Sequence, residues 1–196
     1  MTGAATGSDG RWGVAARDVV PGRLEDAVHA AVAGRHADAM AALGAIDVRA
    51  LANERRAWQD AVRQATAALP RPVRRSTRDL RTAPASRELE VFRRDSWTCC
   101  YCGRLTVASD VLRVLSMLYP QVLRFHLNWK IGECHLVYWV QTASLDHVVP
   151  LARGGGGDVE GNTVTACYLC NDTKGTWRTR RSATASVGPR PRAGTG

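Results

Sequence analysis

The sequence is poor in lysine, in long apolar runs and in repeats, and each shortage narrows the reading. Only two of its 27 basic residues, Lys130 and Lys174, are lysine. Heavy arginine and alanine usage goes with a GC-rich coding sequence, so arginine abundance by itself says little. The longest apolar stretches, such as Val111 to Leu118, fall far short of the roughly 20 residues that cross a bilayer, so no membrane partner is expected. Met1 to Trp12 is small, polar and glycine-rich, with no basic start followed by an apolar run. No secretory signal is expected, and the cytoplasm is the expected compartment. No internal repeat is visible. No strand–glycine–helix pattern carries the lysine or acidic residue that a P-loop or dinucleotide site needs. What is left is a chain of 196 residues with ordinary apolar content, enough for one domain or two small ones.

What is present begins with charge. The formal net charge is +9, unevenly spread. Residues 1–69 carry 8 basic and 8 acidic side chains, 70–96 carry 8 and 4, and 97–140 carry 4 and 2. Residues 141–175 carry 2 and 4, and 176–196 carry 5 and none. Basic segments thus flank a slightly acidic centre, which suits a polyanion gripped on both sides of a metal-binding site. Keeping linkers in solution accounts for the same charge equally well.

Six cysteines are present: Cys99, Cys100, Cys102, Cys134, Cys167 and Cys170. Without secretion, lasting disulfides are not expected, and paired Cys-x-x-Cys spacing points to a metal. Cys99 with Cys102 and Cys167 with Cys170 form two such knuckles. Two intervening residues let both sulfurs of a pair turn toward one point, at about 2.3 Å from a tetrahedral zinc. Four thiolates leave no open position, so the expected zinc is structural and supplies folding free energy. Either pair alone also suits a redox dithiol. Cys100 cannot replace either neighbour without breaking the spacing. Cys134, near His126 and His135, has no partner pair to make a second metal site.

Along the chain, residues 1–21 read as a flexible N-terminus. Over 22–69, apolar residues at helical spacing predict a helical hairpin. Its first helix runs from Arg23 to about Ala42, with Leu24, Val28, Ala31 or Val32, and Met40. The second, capped by Asp47, carries Val48, Leu51, Trp58, Val62, Ala65 and Leu69 at steps of three and four, interrupted by Arg55 and stopped by Pro70. Such a seam packs within a chain or pairs two copies, so a dimer through this region is one option. Residues 70–85 are proline- and arginine-rich, a basic linker or a phosphate-contacting arm. A short helix from Ser86 to Arg94 should turn Leu89 and Phe92 inward. The tail, 178–196, reads as disordered and basic.

Between the knuckles lie Ser144-Leu145-Asp146-His147-Val148-Val149-Pro150, a glycine run from Gly154 to Gly157, and Gly161-Asn162-Thr163-Val164. The second knuckle runs straight into Asn171-Asp172-Thr173-Lys174-Gly175. Phosphodiester hydrolysis needs an activated water and a group that neutralises developing charge. An imidazole is the side chain best suited to take a proton near neutral pH, which nominates His147. The adjacent Asp146 offers a hard oxygen to Mg²⁺. On a strand these two point to opposite faces, but at a strand end both can reach one site. The glycines let the chain turn.

From about Phe92 to Gly175 the order and spacing of these elements resemble the HNH endonuclease family, in the variant whose Cys-x-x-Cys pairs bracket a D-H…N…C-x-x-C-N-x-x-K core. The resemblance implies an α+β chain. A helical N-terminal region would precede a ββα-metal nuclease domain over 86–177, built on a four-cysteine zinc site. It implies double-stranded DNA as substrate, His147 as general base, and Asp146 with Asn171 holding Mg²⁺ or a similar divalent ion. Asn162 takes the middle position, steadying the loop and the histidine. Lys174 and Arg153 are candidates for phosphate contact. Residues 105–142 make an insert long for the family. In it Asp110 should cap a helix bearing Val111, Leu112, Leu115 and Leu118, and Leu136 to Val140 reads as a strand. Trp129 and Trp139, with Arg124 and Lys130, suit nucleic-acid stacking or packing of the insert on the core. A zinc-ribbon nucleic-acid-binding protein without catalysis is the alternative, and RNA an alternative target.

Overall fold

The computed structural model describes residues 19–67, 85–156 and 161–175. The expectations for the N-terminal tail, for Leu69, Pro70 and the arginine-rich stretch after them, and for the C-terminal tail lie outside those residues. The architecture is α+β, with a helical N-terminal region and a two-stranded antiparallel sheet near the C-terminus.

Where periodicity predicts one helix from Arg23 to Ala42, two form: α1 (Val19–Val32) and α2 (His36–Gly44). The break falls at Gly34, whose φ of 72° is open to glycine and costly for other residues. The expected hairpin is therefore a three-helix arrangement. Its last member, α3 (Val48–Thr66), starts as predicted: the Asp47 carboxylate accepts the Ala50 N–H at 2.9 Å. Leu51 and Trp58 are buried, whereas Val48 is exposed. Arg55, which interrupts the apolar stripe, has its guanidinium 5.2 Å from the centroid of the Trp139 ring. This face of α3 is thus covered within the chain by the C-terminal region.

Helix α4 (Ala85–Arg94) buries Val91 and Phe92 but leaves Leu89 40% exposed, contrary to its expected inward position. In the insert, α5 (Ser109–Leu118) forms with Ala108, not Asp110, at its cap and without a side-chain cap bond. Leu112 and Leu115 face inward, while Val111 and Leu118 face out. The predicted strand at Leu136 to Val140 is a helical turn, α6 (Val137–Gln141). A short apolar run does not distinguish strand from buried helix, and here tertiary packing decides. The helical turn buries Val137, Tyr138, Val140 and Gln141 together. The Tyr138 hydroxyl meets Ser116 Oγ at 2.6 Å and donates to Leu112 O at 2.8 Å. Trp129 and Trp139 pack against Tyr168, with centroids 4.7 and 5.2 Å away. They fasten the insert to the core.

His135 adds a pH dependence. Burial, helped by Arg124, lowers its pKa to about 4, and its Nδ1 accepts the Val137 N–H at 3.2 Å. The folded value lies below the unfolded one of 6.5, so the unfolded chain binds more protons between these two values. Stability from this residue is present above pH 6.5 and lost as pH falls toward 4. Urea unfolding is expected to show His135→Asn losing less stability than the parent between pH 6.5 and 4.5. The difference should be on the order of 2 kcal/mol, less than the full shift because the ring is only half-buried.

Strand β1 (Ala143–His147) pairs with β2 (Thr163–Cys167), His147 opposite Thr163 and Ala143 opposite Cys167. Helix α7 (Tyr168–Lys174) follows directly. Two strands alone are marginally stable in water, so this pair depends on what covers it. Among the described residues, no helix is long and apolar enough to cross a membrane.

Candidate active site and metal centre

The four knuckle cysteines converge. Their ligand atoms all lie within 4.8 Å of one another and all four residues are buried; Cys102 and Cys167 Sγ are 3.9 Å apart. Thiolates about 2.3 Å from a tetrahedral zinc stand roughly 3.8 Å from each other, so the sulfurs fit that ion. The first knuckle is a tight turn in which Cys99 N–H donates to Arg104 O at 2.8 Å and Gly103 N–H to Cys99 O at 2.9 Å. The second uses the end of β2 and the first turn of α7. Burial pushes the Cys99 thiol up, but hydrogen bonds with the other three sulfurs outweigh it and hold that thiol well below its ordinary value. Contact with Cys102 drives Cys167 well up, and burial does the same to Cys170. Cys100 stays apart: its backbone N–H donates to Thr165 O at 2.9 Å. Cys134 is buried outside the cluster.

Helix α3 reaches this centre. Glu54 and Trp58 line the small space beside Cys102, Cys167 and Cys170, together with Arg104 and Leu169. Arg104 forms a buried ion pair with Glu54 and donates to Val140 O at 3.2 Å. A guanidinium therefore stands near a centre that four thiolates and a dication would leave negative. Nothing in the sequence flags Glu54, which reads as an ordinary helix-surface residue.

The hairpin fixes which way the active-site candidates point. Val148 N–H donates to Asn162 O at 2.8 Å, so that pair is hydrogen-bonded. The next pair, His147 with Thr163, is then of the other kind, with carbonyls turned outward. Thr165 Oγ1 donates to Val91 O of α4 at 3.3 Å. Thr163, Thr165, Leu145 and His147 share that face by alternation. His147 is half-buried there. Asp146 lies on the opposite face, 5% exposed, where Lys174 Nζ donates to its Oδ1 at 3.0 Å and stands 2.9 Å from Oδ2. Tyr101, one of the two residues between the first knuckle's sulfurs, donates its hydroxyl to Oδ2. Burial first, then the Asp146 charge, hold the Tyr101 phenol well above its ordinary value, so it stays a donor. The sequence reading missed Tyr101 because a residue inside a knuckle reads as a spacer.

Asn171 and Lys174 lie along the outer edge of β1. Asn171 Nδ2 donates to Leu145 O and Ser144 Oγ, both at 3.1 Å, and Lys174 Nζ donates to His147 O at 2.9 Å. Lys174 is 3% exposed, so it does not present its ammonium to a phosphate in this arrangement. Both Asp146 oxygens accept hydrogen bonds here, from Tyr101 and Lys174, while Asn171 is held to β1 through its Nδ2. Asn162 does tie down the loop after β1: its Oδ1 accepts Val149 N–H at 2.8 Å, and its Nδ2 donates to Val149 O at 3.1 Å and Gly156 O at 2.8 Å. Gly155 is required beside it, because a Cβ there would stand 1.9 Å from Val149 O. Arg153 ends a single 3-10 turn in this loop, half-buried.

A hairpin with a helix laid along one edge, and a cysteine cluster at their junction, defines the ββα class of site. Residues 132–176 match the HNH endonuclease family, and this part of the chain is an HNH domain. The first knuckle precedes the matched residues and joins them through the cysteine cluster. No curated protein and no solved structure matches the chain.

Proposed function

We propose that the protein is an endonuclease that hydrolyses phosphodiester bonds of double-stranded DNA, with a structural zinc held by Cys99, Cys102, Cys167 and Cys170. HNH domains act on DNA, and the observation that carries the reading is His147 at the last position of β1 within the HNH match. In this reading its imidazole takes the proton of the attacking water. Lys174 fixes the His147 carbonyl and the Asp146 carboxylate, and Asn162 fixes the loop that follows. Supercoiled plasmid incubated with the full chain and Mg²⁺ is expected to be nicked or linearised, and EDTA to stop it. Intact plasmid under all conditions would remove the nuclease reading. One observation favours a non-catalytic zinc-ribbon protein instead: Asp146 is engaged on both oxygens as a buried structural carboxylate. That alternative binds DNA and leaves it uncut.

A further inference from the structure

Lys174 and Arg153 are the cations the sequence offers for phosphate contact, and the structure turns Lys174 inward. It holds another cation at the His147 end of the hairpin. Arg94, the last residue of α4, donates from Nη2 to Thr163 O at 2.7 Å, and Thr163 is the register partner of His147. Its Nε and Nη2 also donate to the two oxygens of Asp95, at 2.8 and 3.1 Å. Asp95 in turn is fixed by accepting the Thr165 N–H at 2.7 Å. The guanidinium is therefore locked in orientation before any ligand arrives. Three of its five N–H groups are engaged, and the two on Nη1 have no partner among the described residues. The side chain is 36% exposed. A guanidinium fork with two outward donors matches the oxygens of a phosphate.

We infer that Arg94 is a positioning residue that binds a DNA backbone phosphate beside the one facing His147, through Nη1. The chemistry is that of any phosphodiester backbone, and the position follows from register: Thr163 and His147 sit directly across the hairpin. This rests on the nuclease reading for the identity of the ligand. Arg94 also ties α4 to β2, so the test must separate binding from fold.

Fluorescence anisotropy of a labelled duplex, with His147→Ala as the full-length parent so that DNA stays intact, measures affinity across salt. Arg94→Gln on that parent is expected to lower the slope of log affinity against log salt by about one. Binding should weaken roughly tenfold near 0.1 M salt. Arg94→Lys, which keeps the charge, is expected to restore most of the slope. Arg35→Gln, which removes another aspartate-paired arginine, just before α2, should leave it unchanged. A lower melting temperature with the parent's slope would make Arg94 a structural tie only and overturn the inference, as would an equal slope change in Arg35→Gln. Should the wild-type chain cut plasmid while Arg94→Gln keeps the full slope, the inference alone fails. Should Arg94→Gln lose slope while the wild type never cuts, only the nuclease reading fails.

Discussion

His147→Ala is expected to lower plasmid cleavage by roughly 10²–10⁴-fold, the usual loss when a general base is removed, with the chain still folded. The fold should survive because a structural contact at this position is made by the backbone: His147 O accepts from Lys174, and alanine keeps that carbonyl. The ring is only half-buried on the α4 face, so its loss leaves no deep cavity. Nicking rates and circular dichroism measured together decide the matter. Equal nicking by parent and variant removes His147 from the mechanism. Unfolding of the variant would mean that the ring is chiefly a packing group.

Cys170→Ser should act on the fold first. Its sulfur is buried among three others, and it sits in the first turn of α7, the helix that also presents Asn171 and Lys174 to β1. Structural zinc supplies on the order of 10–16 kcal/mol in small domains, comparable to the whole net stability of a typical domain. Losing one thiolate should therefore empty the site and release α7 from the hairpin. Zinc content near one per chain in the parent and near none in the variant is expected, with a fall in helical signal. Cys100→Ser is the matched control, since Cys100 meets β2 through its backbone, and it should keep zinc. Unchanged zinc and unchanged spectra in Cys170→Ser would remove the structural-zinc assignment.

The parts legible in the sequence are those written in covalent spacing or local chemistry. Cys-x-x-Cys twice gave the sulfur cluster, Asp47 gave the start of α3, and the D-H…N…C-x-x-C-N order gave the hairpin followed by a helix. What was not legible depends on the direction of long side chains and on packing between distant segments. Lys174 is one helical turn from Asn171, and spacing alone does not say whether its ammonium meets substrate or the edge of β1. Tyr101 and Asp146 are 45 residues apart and meet only because zinc-knuckle geometry turns the tyrosine inward. The run from Leu136 to Val140 has strand-like composition, but a Tyr138 hydroxyl with two partners and paired tryptophans select a helical turn. Gly34 divides α1 from α2 because the chain turns there, which helical periodicity does not record.

One consequence of the hairpin concerns assembly. A two-stranded sheet ordinarily leaves rows of backbone donors and acceptors that invite a further strand from another molecule. Here Asn171 and Lys174 already occupy the Leu145 and His147 carbonyls on one border. Arg94, Asp95 and Cys100 occupy Thr163 and Thr165 on the other. Partners are thus barred from docking by strand addition, and stacking of hairpins into fibrils would first require α7 or the first knuckle to detach.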